Sequence, residues 1–139
     1  MTQEEKQFLL ADICTRLPYG VIYHCNYGAN IRLKEIDINR GYFNYTDNIE
    51  ERECKPYLRP MSSMTEEERM EFIKLFDKWH DDELFDYIEE GVEFSIWKHK
   101  GISPVIFDWL NAHHFDYRGL ISMGLALEAP EDMYDTKTE

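Results

Sequence analysis

Apolar positions along this chain follow two periods: helical spacing at the start and in the second half, and alternation between them. In residues 2–17, Leu9, Leu10, Ile13, Cys14 and Leu17 recur at the helical period, with Glu4, Glu5 and Lys6 early in the stretch. This predicts an amphipathic helix with Cys14 on its apolar side, stopped by Pro18 and Gly20. From Val21 the residues become β-branched or aromatic. Three runs, Val21–Cys25, Ile31–Ile36 and Tyr42–Tyr45, are separated by turn residues at 26–30 and 39–41 and predict a three-stranded antiparallel meander. A fourth strand near Ile49–Cys54 would be an edge or a loop, because Glu50-Glu51-Arg52-Glu53 fills it with charge.

Two prolines bracket Lys55-Pro56-Tyr57-Leu58-Arg59-Pro60, and each biases its predecessor to extended geometry. Residues 55–64 therefore read as an extended connector into a mainly helical part, 65–130. Thr65 and Glu68 have the spacing of a capping box, and Phe72, Ile73, Phe76 and Trp79 continue at helical spacing. The pattern breaks at His80-Asp81-Asp82-Glu83, where Asp81 or Asp82 caps a shorter helix carrying Leu84, Phe85 and Ile88 and ending at Gly91. Val92–Lys98 is strand or loop. Ser103-Pro104 opens a further helix with Ile106, Trp109, Leu110 and His113 on one face, and Asp116 caps one more turn, 117–123, ended by Gly124. Residues 131–139 are polar and read as a frayed tail. The expected fold is one α+β domain over residues 1–139, with an N-terminal helix, an antiparallel sheet of three or four strands, and three or four C-terminal helices packed on one face of it.

Charge changes this picture more than composition does. The formal net charge is −13 on 139 residues, and it divides into −1 over residues 1–60, −7 over 61–100 and −5 over 101–139. The acidic C-terminal half argues against direct nucleic-acid binding there, since such affinity rests on Lys and Arg displacing counterions. It reads as a solvated surface or, more sharply, as an acidic face that imitates nucleic acid. No apolar run is long enough to cross a bilayer, and Met1-Thr2-Gln3-Glu4-Glu5 does not open a signal peptide. Cys14, Cys25 and Cys54 are odd in number and widely spaced, unlike a disulfide framework or a zinc knuckle; Cys14 on the apolar side of its helix and Cys25 in a strand are expected as buried reduced thiols, in a cytoplasmic setting.

Candidate chemistry is sparse. The densest group of potential ligands is His113-His114-Phe115-Asp116, with His80-Asp81-Asp82 and His99 as contributors. Adjacent helical histidines diverge by about 100°, so the plainer reading packs His113 on the core side and lets His114 terminate the helix. There is no nucleophile elbow and no glycine-rich phosphate loop, and no cofactor is implied. Tyr19, Tyr23, Tyr27, Tyr42, Phe43, Tyr45 and Tyr57 crowd the nearly neutral first 60 residues. They line the core of a small sheet, or they form a face that stacks bases or binds a protein.

Four blocks carry a resemblance. Leu17-Pro18-Tyr19-Gly20-Val21, the stretch from Lys55 to Glu68 (KPYLRPMSSMTEEE), that from Asp108 to Ile121 (DWLNAHHFDYRGLI) and that from Gly124 to Pro130 (GLALEAP) together resemble an uncharacterised protein family of gut Bacteroidetes and their phages and prophages. The intervening segments, 22–54 and 70–107, do not share in it. The resemblance implies a cytoplasmic, phage-related setting and brings no activity, cofactor or catalytic residue.

Two polar-aromatic clusters lie within these blocks. Tyr57 and Arg59 form one, and His113, His114, Asp116, Tyr117 and Arg118 the other. They are expected to dock, with Asp116 pairing Arg59 or Arg118 and Tyr57 buried, or to line a shared binding groove. The function expected is that of a non-enzymatic binding or regulatory accessory protein acting on a protein partner. A metal-dependent enzyme built on His113, His114 and Asp116, and an acidic nucleic-acid mimic, are the alternatives.

Overall fold

The computed structural model describes residues 1–77 and 104–134. Trp79, the expected short helix after it, the 92–98 segment, His80, Asp81, Asp82, His99, Ser103 and residues 135–139 lie outside the described residues.

Helix α1, Gln3–Arg16, starts at a capping box in which Thr2 accepts from the Glu5 amide and Glu5 accepts from the Thr2 amide. It buries Leu9, Leu10, Ile13, Asp12 and Arg16, whereas Cys14 is exposed, contrary to the sequence reading. The cause is the Asp12–Arg16 pair. Four residues apart on one side of the helix, these two are taken inside together, which turns the buried face away from Cys14.

Strands β1 (Ile22–His24) and β2 (Asn30–Arg32) form the expected antiparallel hairpin, with Val21, Tyr23 and Cys25 all facing inward at 0% exposure. The third run does not join them. Tyr42–Phe43 (β4) pairs instead with Ile36–Asp37 (β3) and Asp47–Asn48 (β5) in a separate three-stranded sheet. Asn44 pins the chain where it leaves the hairpin: its side-chain oxygen accepts from the Lys34 and Glu35 amides, and its nitrogen donates to the Arg32 carbonyl. Asn44 holds φ at 52° and Tyr45 at 62°, the left-handed geometry that turns β4 into β5.

The expected connector is the second correction. Lys55–Leu58 is strand β6, seated inside the first sheet, whose order is β2-β1-β6-β7. Pro56 is tolerated there because β6's neighbours overlap different halves of it. Strand β1 pairs with Lys55 and Pro56, and Leu127–Glu128 (β7) pairs in parallel with Tyr57 and Leu58, so no residue of β6 needs partners on both sides. The first sheet is thus mixed rather than antiparallel, and part of the segment expected to be helical supplies its edge.

Helix α2, Glu66–Asp77, begins at the predicted capping box. The Thr65 amide donates to Glu68 Oε1 at 2.9 Å, and the Glu68 amide donates to Thr65 Oγ1 at 3.2 Å. Helix α3, Pro104–Ala112, ends at His114, whose φ of 64° takes the chain out of helical geometry, the terminating role expected of it. The fold is α+β with small sheets. Among the described residues the C-terminal half contributes two helices, and the expected turn at 117–123 is a hydrogen-bonded reversal around 119–125. Two apolar clusters form: α1 with both sheets, and a second comprising Met61, Phe72, Ile106, Leu110, Phe115 and Tyr117.

Candidate functional site

The predicted site residues come together, but mostly as architecture. Arg59 lies at the end of β6, where its amide donates to the His114 carbonyl and its own carbonyl accepts from Asp116 N. Its guanidinium grips both Glu68 oxygens at 2.7 Å, donates to the His113 carbonyl at 3.2 Å, and stands 4.2 Å from the centre of the Phe115 ring. Burial pushes the Glu68 carboxyl up, but the bonds from Arg59 and the Thr65 amide outweigh it and hold Glu68 below the ordinary carboxylate value. Asp116 pairs with neither Arg59 nor Arg118. Its two oxygens accept from the Leu120 and Ile121 amides at 2.9 Å each, because the reversal that follows leaves those amides without backbone partners.

His113 stacks on Trp109 at 4.1 Å and its Nδ1 meets the Trp109 carbonyl at 2.9 Å. His114 is buried against the Tyr134 ring at 3.7 Å, and its Nδ1 has no hydrogen-bond partner among the described residues. Burial, then the charges of Arg16 and Arg59, bring its pKa down to about 3, so it is neutral at physiological pH. Tyr134 corrects the reading of a frayed tail from residue 131. Its hydroxyl accepts from Ile22 N and donates to the Tyr57 carbonyl, both at 2.8 Å, fastening the chain back onto the first sheet. Among the described residues no group of three or more His, Cys, Asp or Glu could hold a metal ion, so the imagined centre at His113, His114 and Asp116 does not assemble.

Nor do the tyrosines share one face. Tyr23 and Phe43 are core, with Tyr23 donating to Asp47 at 2.5 Å; Tyr57 is half-buried beside His24 and Asn30; Tyr27 and Tyr45 are exposed. Glu66, Glu67 and Glu71 are exposed while Glu68 is buried; the carboxylates of 78–93, on which the nucleic-acid-mimic reading also depends, lie outside the described residues.

One predicted pair, Tyr117 and Arg118, does reach a cavity. A cleft of about 610 Å³ opens between the C-terminal end of α1 and helix α3. Pro18, Tyr19, Pro104 and Phe107 give it apolar walls, and Cys14 brings an exposed thiol to it. Beneath lies a buried ionic cluster. Arg16, fully buried, binds Asp12 through Nε at 2.7 Å and Nη2 at 3.1 Å, and Arg118 Nε stands 3.6 Å from the same carboxylate, an ion-pair distance too long for a hydrogen bond. Both guanidiniums lie near the Tyr117 ring, with Arg16 5.1 Å and Arg118 5.6 Å from its centre. Its hydroxyl donates to Asn111 Oδ1 at 2.9 Å.

Sequence reasoning missed Cys14, Asn111 and Phe107 as cleft residues and the Asp12–Arg16 pair as its foundation. The usable signal was that pair, two opposite charges four apart beside the apolar stripe of α1. Among the described residues no helix is long and apolar enough to cross a membrane. No family model, curated protein or solved structure matches the chain.

Proposed function

We propose that this chain is a non-enzymatic binding module, an accessory protein that holds a protein partner in the cleft between α1 and α3. The observation that carries the reading is how the polar groups are used. Asp116, Arg59, Glu68 and Asp12 spend their polar atoms on internal bonds, whereas Arg118 lines the cleft with a guanidinium that no described residue fully engages. A concave, apolar-walled site with a few polar groups on its floor is the usual form of a recognition pocket. The resemblance of the 17–130 blocks to a phage-related family supports an accessory role in a cytoplasmic setting.

The test is site-specific crosslinking. A photoreactive residue placed at Tyr19, in the cleft wall, should capture a specific partner from host lysate, and the same residue placed at the exposed Tyr45 turn should not. Equal capture from both positions, or robust turnover in a general hydrolase screen with no captured protein, overturns the reading.

A further inference from the structure

Granting that the cleft is a binding site, its chemistry limits what enters it. Among the described residues that line the cleft the only cationic side chain is Arg118, which is recessed, with its side chain 19% exposed and its Nε buried without an acceptor. The nearest carboxylate, Asp12, is already gripped twice by Arg16. Beside Arg118 is Asn111, which is 3% exposed and accepts through Oδ1 from Tyr117, leaving its amide nitrogen as a second donor. A floor of donors under apolar walls asks for an acceptor, and an arginine fork fits a carboxylate through paired hydrogen bonds.

Two further features narrow the ligand. Asp108 lines the same cleft and is exposed at it, so repulsion grows with each negative charge a ligand carries and a single carboxylate meets the least of it. Pro18 and Tyr19 from one side and Pro104 and Phe107 from the other line the same cleft as the cation, so a carboxylate that enters it is best accompanied by an apolar group. In a peptide, that arrangement belongs to a chain end, where the carboxylate and the last side chain leave the same Cα. We infer that the cleft takes the C-terminal carboxylate of a partner protein whose last residue is apolar, with Arg118 as its anion-binding residue. The inference rests on the binding reading above and names the chemistry of its partner.

The probes are N-acetyl-Ala-Phe with a free carboxylate, the same dipeptide as its C-terminal amide, and N-acetyl-Phe-Glu amide, whose only carboxylate is on a side chain. Binding is read from amide chemical shifts of the full chain and from slowed alkylation of Cys14 at the cleft. The free acid should perturb residues 14–19 and 107–118 saturably and protect Cys14, with the amide weaker by about tenfold or more. In Arg118→Gln the acid should fall to the level of the amide while the amide is unchanged. The acid-against-amide comparison on the unaltered chain needs no variant, so it stands even if Arg118→Gln fails to fold. Equal binding of acid and amide overturns the carboxylate assignment and leaves the binding reading intact. Equal binding of the side-chain acid overturns the chain-end assignment. Absence of any shift or protection with all three probes overturns the inference, and the crosslinking test then decides the binding reading separately.

Discussion

Glu68→Gln removes the charge and one acceptor of a single ion pair and leaves the other contacts between the halves of the chain in place. Glutamine keeps the capping box with Thr65, since its side-chain oxygen still accepts from the Thr65 amide, and it preserves shape. What it removes is the negative charge facing Arg59, whose guanidinium is then buried with one neutral acceptor in place of a carboxylate gripped at two distances of 2.7 Å. Breaking a buried pair from one side costs about 3–5 kcal/mol, and the retained hydrogen bonds to the glutamine oxygen and the His113 carbonyl bring the expected loss to about 2–3 kcal/mol. Against a total of about 5–15 kcal/mol this is a large fraction, and it should move the urea midpoint down by about 1 M or more. The acid dependence carries an independent signature. Because the folded Glu68 carboxyl titrates below its unfolded value, its contribution is fully present above the ordinary carboxylate pKa of about 4.3 and is lost as pH falls through the lower folded value. Glu68→Gln should lose that part of the acid slope. Arg59→Met should cost a similar amount, and the double variant less than the sum. Urea denaturation followed by tryptophan fluorescence at several pH values reads all of this. A single variant within about 0.5 kcal/mol of the parent, with an unchanged acid slope, would refute the reasoning.

Other expectations concern groups whose surroundings are equally specific. Thiol titration of the native chain should find one fast cysteine, Cys14, with Cys25 and Cys54, whose sulfurs lie 3.7 Å apart and whose pKa values burial raises, reacting only on unfolding; Cys14→Ser should abolish the fast phase. Tyr134→Ala should cost about 3–5 kcal/mol by chemical denaturation, and Tyr134→Phe, which leaves the Ile22 amide without its acceptor, about 1–3 kcal/mol; losses under 1 kcal/mol in both would contradict the anchoring role. His114 has a folded pKa of about 3 against an unfolded value near 6.5, so the unfolded chain binds the extra proton between them and stability rises with pH across that window. Its imidazole resonances should stay neutral down to pH 5 and below, and His114→Asn, which suits the positive φ, should flatten that part of the stability profile.

What could be read in the sequence was what local physics decides. The Thr65–Glu68 box, the β1–β2 hairpin and the helix-terminating His114 each depend on residues a few positions apart. Pro56 was misleading for the same reason. Locally it forbids a ladder donor, but the tertiary offset of β1 and β7 along β6 removes the need for one. Tyr134 and β7 were invisible, because their partners, Ile22 and Tyr57 for the one and Leu58 for the other, are roughly 70 to 112 positions away. The candidate site divides in the same way. Tyr117 and Arg118 stood out as polar groups in a conspicuous block, while Asn111 and Phe107 became cleft residues only through the packing of α3 against α1, founded on a buried Asp12–Arg16 pair that periodicity treats as surface.

The central claim is that the α1–α3 cleft is where a partner is held. Alkylating Cys14 with a bulky maleimide fills that cleft while leaving the two buried thiols untouched. The measurement is quantitative capture of the crosslinked partner by the alkylated and the unmodified chain, with melting curves matched. The account predicts that capture is lost in the alkylated chain with folding unchanged. Equal capture by both would contradict it.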